Sequence, residues 1–304
     1  MKTVLRLLPL APALALCAAA FAADPAPPLP QRLHETGLYA EGSTGAVREG
    51  IIAFSPRYPL WSDGTSKRRW LYLPPGAAID ASRPDAWEFP PGTKAWKEFS
   101  YERRLETRYI KRLADGSWRF AAYVWNAEGT EARLAPEHGA IIPAAGAPGA
   151  RYTVPSRTDC LACHEAAAAP ILGYSAVQLA PHIEGRNEVE RAALGYLHGN
   201  CGHCHNDNGS PVPVDLVLWQ KARENAKVLR SLLGAPSRYR APGAPVASAV
   251  VEPGRPEASV LMARMRSRNP QTQMPPLGTQ ETDNEALALI ERWIRTQPQT
   301  RKEH

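Results

Sequence analysis

Cysteine is scarce in this sequence, and long apolar runs and blocks of like charge are scarcer still. Only five of the 304 residues are cysteine, and four of those stand in two close pairs. Apart from Cys17 near the N-terminus, no other thiol is left to form a disulfide. The net charge of +6 is mildly basic but contains no long run of one sign, which argues against a nucleic-acid-binding arm. Beyond the N-terminal segment, nothing is apolar over a length that spans a bilayer.

The two cysteine pairs share the pattern Cys-x-x-Cys-His, at residues 160–164 and 201–205. Two thiols at this spacing reach the two vinyl groups of one porphyrin, and the adjacent histidine then provides a nitrogen ligand to the iron. We therefore predict two covalently bound haem c groups. The residues expected to hold them are the thioether cysteines Cys160, Cys163, Cys201 and Cys204 and the proximal iron ligands His164 and His205.

Zinc binding and dithiol redox chemistry are the alternatives for such pairs. Zinc sites also use Cys-x-x-Cys, but zinc needs no histidine directly behind each second cysteine. A thioredoxin-like site would have a single pair near a βαβ pattern, and none is visible here. The pattern favours haem at both motifs.

The N-terminus has the parts of a secretory signal peptide. Two cations precede an apolar run over residues 7–19, and a small-x-small cleavage site ends at Ala22. We expect residues 1–22 to be the signal peptide and 23–32 a proline-rich leader. A lipoprotein signal at Cys17 is the alternative, but Leu16 stands where a small residue is usual. Because haem c is attached outside the bacterial cytoplasmic membrane, we predict a periplasmic protein.

Residues 33–155 are predicted to form an antiparallel β domain. Six of the eight tryptophans lie between Trp61 and Trp125. Several segments in this part alternate with period two, and Asp115-Gly116 is a hairpin signal between two of them. The segments that we expect to be strands are 70–73, 94–99, 106–110 and 118–125.

The pattern becomes helical after residue 155. We expect 156–185 to be the first haem-binding segment and 186–304 a mostly α-helical domain with the second haem. Helical spacing over 186–198 leads directly into the second motif, and Thr282 with Glu285 predicts a capping box at the start of the last helix. The expected fold class is α+β, multidomain, with the antiparallel β domain first.

Met274, followed by two prolines, is the candidate sixth ligand of the second iron. A methionine thioether raises the reduction potential of a histidine-ligated haem, and the prolines hold the backbone extended. Met262 and Met265 are the competing sulfurs, but their helical spacing with Leu261 predicts core packing instead.

With these features, residues 190–297 resemble a class I cytochrome c: a helix runs into the motif, a Met-Pro-Pro loop follows, and an amphipathic helix containing Trp293 ends the segment. The resemblance implies His205 as proximal ligand, Met274 as distal ligand, and Cys201 and Cys204 as anchors. The stretch between His205 and Met274 is longer than in minimal members, which predicts an insertion over 234–249.

The sixth ligand of the first haem is left open by the sequence, because no methionine lies in the first half after Met1. A histidine, a foreign methionine and an open position are the alternatives. For each histidine, a core or surface role is favoured over ligation, and His203, inside the second motif, is interpreted as a spacer. The candidate histidines are His182, His198, His34 and His138.

Across almost its whole length, the chain resembles a group of bacterial dihaem c-type cytochromes with a tryptophan-rich β N-terminal domain. The resemblance implies family membership and two haems, but it implies no substrate. The segments that carry it are 58–64 with 67–70, 87–93, 116–120 with 123–126, and 200–206.

The β domain carries a set of cations that has two interpretations. They form either a docking face for an acidic redox partner or, as we prefer, the solvated faces of strands interleaved with Glu98, Glu102 and Glu106. The tryptophans are expected in the core. The cations are Lys94, Lys97, Arg103, Arg104, Arg108, Lys111 and Arg112.

Three functions fit the sequence. The first is electron transfer between periplasmic redox partners through two haems that lie close together, since only a short segment separates His164 from Cys201. The second is a peroxidase-like oxidoreductase with an open position at the first haem. The third is a β domain that binds a ligand or partner and is served by the cytochrome. No catalytic acid/base group stands out.

Overall fold

The structure is a computed structural model that describes residues 28–84, 86–167, 169–180, 183–208, 214–221, 225–240 and 249–299. The predicted signal peptide, residues 23–27 of the leader, His182 and residues 241–248 of the predicted insertion over 234–249 lie outside the described residues. Among the described residues, no helix is both long enough and apolar enough to cross a bilayer.

The N-terminal part forms a six-stranded antiparallel sheet in which each strand pairs with the next along the chain. The α+β fold class is confirmed, since helices follow this sheet. The predicted strands are all present, whereas the short first and sixth strands were not predicted. The strands are β1 (Ile52–Ala53), β2 (Ser66–Tyr72), β3 (Lys94–Ser100), β4 (Arg104–Arg112), β5 (Trp118–Trp125) and β6 (Ala132–Leu134).

The sheet has an aromatic face and a cationic face, because aromatic residues pair with aromatic residues across the strands and cations pair with cations. Trp70, Trp96 and Tyr109 are directly paired in register. They lie in a buried cluster with Leu33 and Leu38, from the segment before the sheet. Aromatic cross-strand pairs stabilise a sheet, so the tryptophans are core residues, as expected.

The opposite face, with Arg69, Lys97 and Arg108 in register, is turned toward the rest of the chain. A small antiparallel sheet of β7 (Ala140–Pro143) and β8 (Arg151–Val154) covers one end of it, where Tyr152 packs on Phe99. The first Cys-x-x-Cys-His motif covers another part of the same face.

The helices form a second core, in which the helix Glu188–Cys201 and the last helix contact one another. Trp293 and Ile290 are fully buried in this core, together with Leu194 and Leu197. The helices are α1 (Arg157–His164), α2 (Ala176–Leu179), α3 (Glu188–Cys201), α4 (Ala226–Leu232), α5 (Val260–Arg266) and α6 (Asn284–Arg295), and three short 3-10 turns lie at Leu33–Thr36, Pro148–Ala150 and Pro256–Ala258.

The predicted capping box of α6 is wrong by one residue. Asp283, not Thr282, is the N-cap, and its carboxylate accepts the backbone N–H of Ala286 at 3.0 Å. A carboxylate at the N-cap also meets the positive end of the helix dipole. Asp283 therefore takes the role that the pattern assigned to Thr282.

The segment 54–65 joins the two halves of the chain. Tyr58 lies against α3 so closely that a Cβ atom on Gly195 would be 2.0 Å from its ring, and one on Gly199 would be 2.2 Å from its carbonyl oxygen. The backbone N–H of Trp61 donates to the Asn200 side chain at 2.7 Å. The sheet and the helical core therefore meet along α3.

Candidate functional site

The first motif lies on α1, which begins at a reciprocal cap. The Asp159 backbone N–H donates to Ser156 Oγ at 3.1 Å, and the Ser156 N–H donates to the Asp159 carboxylate at 2.9 Å. Because positions three apart share one side of a helix, Cys160 and Cys163 project in a common direction. Cys160 packs beside Ile110 and Phe120 on the sheet.

His164 ends α1 and is oriented by a backbone carbonyl. Its Nδ1 lies 2.6 Å from the Pro170 oxygen, and its ring centroid is 5.1 Å from that of Phe120. An N–H on Nδ1 that donates to a carbonyl leaves Nε2 with the lone pair, which is the usual arrangement of a metal-binding histidine. Burial lowers the pKa of His164 to about 4, so the imidazole is neutral at neutral pH.

The first cavity, of about 320 Å³, lies between the cationic face of the sheet and the first motif. Cys160, Cys163 and His164 all line it. The loop 275–280 forms another part of its wall, so residues from both halves of the chain enclose it.

The second motif begins at the last residue of α3. Gly202 is required there, because an added Cβ would lie 2.7 Å from the His198 carbonyl oxygen and 3.0 Å from Trp219 Cα. Burial, followed by the charge of His203, lowers the pKa of His205 to about 4. The buried Nδ1 of His205 has no hydrogen-bond partner within the part of the chain that the structure describes.

The second cavity has a volume of about 620 Å³ and contains the predicted ligand set of the second haem. Cys201, Cys204, His205 and Met274 all line it. The Met274 backbone N–H donates to the Arg264 carbonyl at 3.0 Å, which ties its loop to α5. Met262 and Met265 lie in the helical core, as expected, although Met265 also reaches the cavity wall.

The two motifs meet at Cys163, His203 and Cys204. The ligand atoms of these three residues all lie within 4.8 Å of one another. His203, interpreted from the sequence as a spacer, is only 7% exposed and lines both cavities. Its position could not be read from the motif, because it depends on the approach of α1 to the end of α3.

The other described candidate histidines do not line the first cavity. His198 is buried on α3, where its Nδ1 accepts the Gln220 backbone N–H at 3.0 Å and its ring packs against Trp219. His34 and His138 are exposed. Among the residues described, His164 and His203 are the only histidines of this cavity, and no methionine lines it.

The interpretation of the charged residues on the sheet as solvated faces is wrong for four of them. Glu98 and Glu106 are 1% and 0% exposed. Arg68 and Tyr39 hydrogen-bond to Glu98, from the neighbouring strand and from the segment before the sheet. Lys97 and Arg108 line the first cavity. Alternation of charge along a strand indicates solvent only where nothing covers that face.

Trp61 is a further residue that the sequence did not single out for a role at the site. It lines both cavities, and so the segment 54–65 contributes to their common wall. The signal for it was the segment 58–64, which carried part of the family resemblance.

Compared with protein-family models, with curated proteins and with solved structures, the chain gives no match. The motifs and the two cavities are therefore the features that bear on function.

The residues present fit a haem at each motif. Each pair of thiols borders a cavity of the size that cofactors occupy, and the adjacent imidazole is half-buried, with a pKa lowered to about 4. A structural zinc ion at Cys163, His203 and Cys204 is the competing arrangement. It takes four protein ligands, and this cluster offers three among the described residues.

Proposed function

We propose that the chain is an exported dihaem c-type cytochrome that transfers electrons between redox partners in the periplasm. Cys160 and Cys163 would hold one haem in the first cavity, with His164 as iron ligand. Cys201 and Cys204 would hold the other in the second cavity, with His205 and Met274 as iron ligands. When bound, each iron supplies one-electron redox chemistry.

The observation that carries this proposal is the meeting of the two motifs. Sulfur atoms from both, Cys163 and Cys204, lie in one cluster whose ligand atoms are within 4.8 Å of one another. Groups attached at these thiols would be neighbours. Since electron transfer slows steeply with distance, this arrangement favours rapid exchange between the two centres.

The chain's own residues give the two centres different properties. The carbonyl of Pro170 orients His164, and the loop tied to Arg264 brings Met274 into the cavity of His205. A thioether ligand raises the reduction potential. The second centre is therefore expected to have the higher potential and to receive electrons from the first.

The test is the haem content of the full-length protein after export from a host that attaches haem c. We expect the wild-type protein to carry two covalent haems by intact mass and by the absorption of its pyridine complex. The C160A/C163A and C201A/C204A variants should each retain one haem. A wild-type protein that carries bound zinc and no covalent haem would contradict the proposal.

A second candidate function, small-molecule redox catalysis at the first haem, is favoured by one observation. Apart from His164, the described lining of the first cavity offers only His203 as a histidine ligand, and it contains no methionine. Carbon monoxide added to the reduced protein distinguishes the two. A spectral change in about half of the haem would support an open first site, and no change would exclude it.

A further inference from the structure

Three cationic side chains stand in register on the wall of the first cavity. Arg69 on β2 pairs with Lys97 on β3, and Lys97 pairs with Arg108 on β4. All three line the cavity that contains His164. Lys67 lies two positions before Arg69, on the same face of β2. Burial, and then the charges of Arg69, Arg108 and Lys67, lower the pKa of Lys97.

Arg108 has its counter-ion within the wall. Its guanidinium donates to both carboxylate oxygens of Glu106, at 2.8 and 3.1 Å, and Tyr152 donates to the same carboxylate at 2.6 Å. Lys67 donates to the Leu60 carbonyl oxygen at 2.9 Å. These two cations are therefore hydrogen-bonded inside the protein.

Arg69 and Lys97 have no such partner. Arg69 is 7% exposed, and neither side chain has a hydrogen-bond acceptor among the described residues. The Lys97 Nζ lies 4.9 Å from the centre of the Phe99 ring, which offers only a cation–π contact. Burial lowers the pKa of Arg69 to about 10, and it lowers that of Lys97 well below its usual range. A buried cation without a counter-ion is strongly unfavourable.

The carboxylates around the cavity do not supply the missing charge, because each has other partners. Asp63 accepts the backbone N–H groups of Gln280 and Glu281 at 2.9 Å each. Asp159 accepts the backbone N–H and the hydroxyl of Ser156. Glu106 acts on Lys97 as well as on Arg108, but burial and the charges of Arg69, Arg108 and Lys67 outweigh its effect on Lys97. The wall thus retains net positive charge at Arg69 and Lys97.

We propose that Arg69 and Lys97 form a binding site for one oxyanion or carboxylate group inside the first cavity. A guanidinium group recognises the two oxygens of such a group in bidentate fashion, and the lysine adds a point charge. The chemistry has two possible sources: a free small oxyanion, or a propionate of the first haem. The second source rests on the proposed function, whereas the first does not.

The test uses the purified full-length protein and sulfate, an oxyanion that is a poor iron ligand. Calorimetric titration at low ionic strength, with chloride as the comparison anion, measures binding. For a free oxyanion we expect one saturable sulfate site, weakened at least tenfold in both R69Q and K97Q, because a charged hydrogen-bond partner is lost. R133Q is the matched control, since Arg133 lies on β6 of the same sheet with a side chain that is 69% exposed.

A propionate source gives a different result. Sulfate then does not bind the protein with both haems, but the midpoint potential of the haem lost in C160A/C163A falls in R69Q and K97Q and stays unchanged in R133Q. Removal of the cation destabilises the reduced state relative to the oxidised one, which sets this direction. Absence of both sulfate binding and a potential shift would overturn the proposal. If the chain holds no haem, the sulfate titration still tests the site.

Discussion

The two cavities share one wall but offer a bound group different surroundings. The second is the larger, about 620 Å³ against about 320 Å³, and it has Met274 beside His205. The first has no methionine in its described lining, and instead it has Arg69 and Lys97, neither of which hydrogen-bonds to a carboxylate among the described residues. Under the proposed function, Met274 would complete the coordination of an iron in one cavity, and the cations of the other would meet an anion.

This difference follows from the elements that enclose each cavity. Helices and a tied loop surround the second, and these elements place a long, flexible thioether where a ligand is needed. The first is closed by a sheet, whose pleat repeats one side-chain type at each cross-strand position. If both Cys-x-x-Cys-His motifs hold a haem as proposed, their surroundings would give the two centres distinct chemistry.

Replacement of Met274 should have the largest effect, because it makes the second cavity resemble the first. In M274A we expect the potential of the second haem to fall by on the order of 0.2 V, a quarter of the roughly 0.8 V over which axial ligands set haem potentials. The reduced variant should also bind carbon monoxide at that haem. Potentiometric titration followed by absorption measures both changes.

M265A is the control for this experiment. Met265 is a second sulfur on the wall of the same cavity, but it lies in the helical core. Its replacement should lower stability and leave the potential of the second haem near the wild-type value. The opposite pattern, with M265A lowering the potential and M274A leaving it unchanged, would exchange the roles of the two sulfurs.

Glu190 tests how much one buried ion pair stabilises the helical core that borders the second cavity. It is 1% exposed, pairs with Arg186 at 2.6 Å, and accepts the Trp293 indole N–H at 3.2 Å. Burial alone would raise the pKa of Glu190, but the hydrogen bonds from Arg186 and Trp293 outweigh it and lower the pKa to about 2. In E190Q we expect the free energy of unfolding to fall by about 3 kcal/mol, measured by chemical denaturation.

The pH dependence has a definite sign. Because the folded-state pKa lies below the ordinary 4.5, the contribution of Glu190 is complete above pH 4.5 and is lost as the pH falls toward 2. E190Q should therefore be less sensitive to acid over that range. The control is E257Q, since the Glu257 side chain is 64% exposed and its pair with Arg255 should contribute little. Equal stability losses in the two variants would contradict the prediction.

The features of the two cavities that the sequence predicted are those that depend on local spacing along the chain. The two motifs, the helix before the second and the Met274 loop all follow from residues close together along the chain. The structure brings Met274 into the cavity of His205 as that interpretation requires. Strands β2 to β5 were equally predictable from the local sequence, since alternation and one hairpin turn indicate them.

The parts that could not be predicted depend on pairs distant in sequence. The burial of Glu106 requires Tyr152, which lies 46 positions later, and that of Glu98 requires Tyr39, 59 positions earlier. The meeting of His203 with Cys163 likewise depends on how two helices approach. Charge alternation along a strand carries no information about what will cover it, so the first cavity could not be anticipated.

Gly199 tests the wall of the first cavity at the place where the segment 54–65 packs against α3. An added Cβ would lie 2.2 Å from the Tyr58 carbonyl oxygen, a backbone atom that cannot move without its segment. Alanine improves helix propensity, but we expect the clash to dominate and G199A to lose about 2 kcal/mol of stability. G45A is the control, because no atom of the described residues lies within 4 Å of a Cβ there. Equal stability in G199A and wild type would mean that the Tyr58 segment moves away from α3 at little cost in free energy.

Replacement of Asp63 should have the smallest effect on stability, but it should distinguish the two cavities most clearly. Asp63 holds a loop that lines both of them. Its carboxylate accepts the Gln280 and Glu281 N–H groups, while the loop 275–280 lines the first cavity and Met274 the second. D63N keeps one acceptor oxygen and tolerates the positive φ of 49°. We expect a loss of about 1 kcal/mol in stability.

The more informative measurement on D63N is displacement of the Met274 ligand by imidazole in the oxidised protein. A loosened loop should release the thioether several times faster, while the potential of the first haem changes little because its histidine is fixed by Pro170. D115N is the control, since Asp115 caps an exposed turn through Ser117. D63N could instead change the potential of the first haem and leave the rate of Met274 displacement unaltered. The loop would then act on the first cavity alone, and the two sites would be more independent than their shared wall suggests.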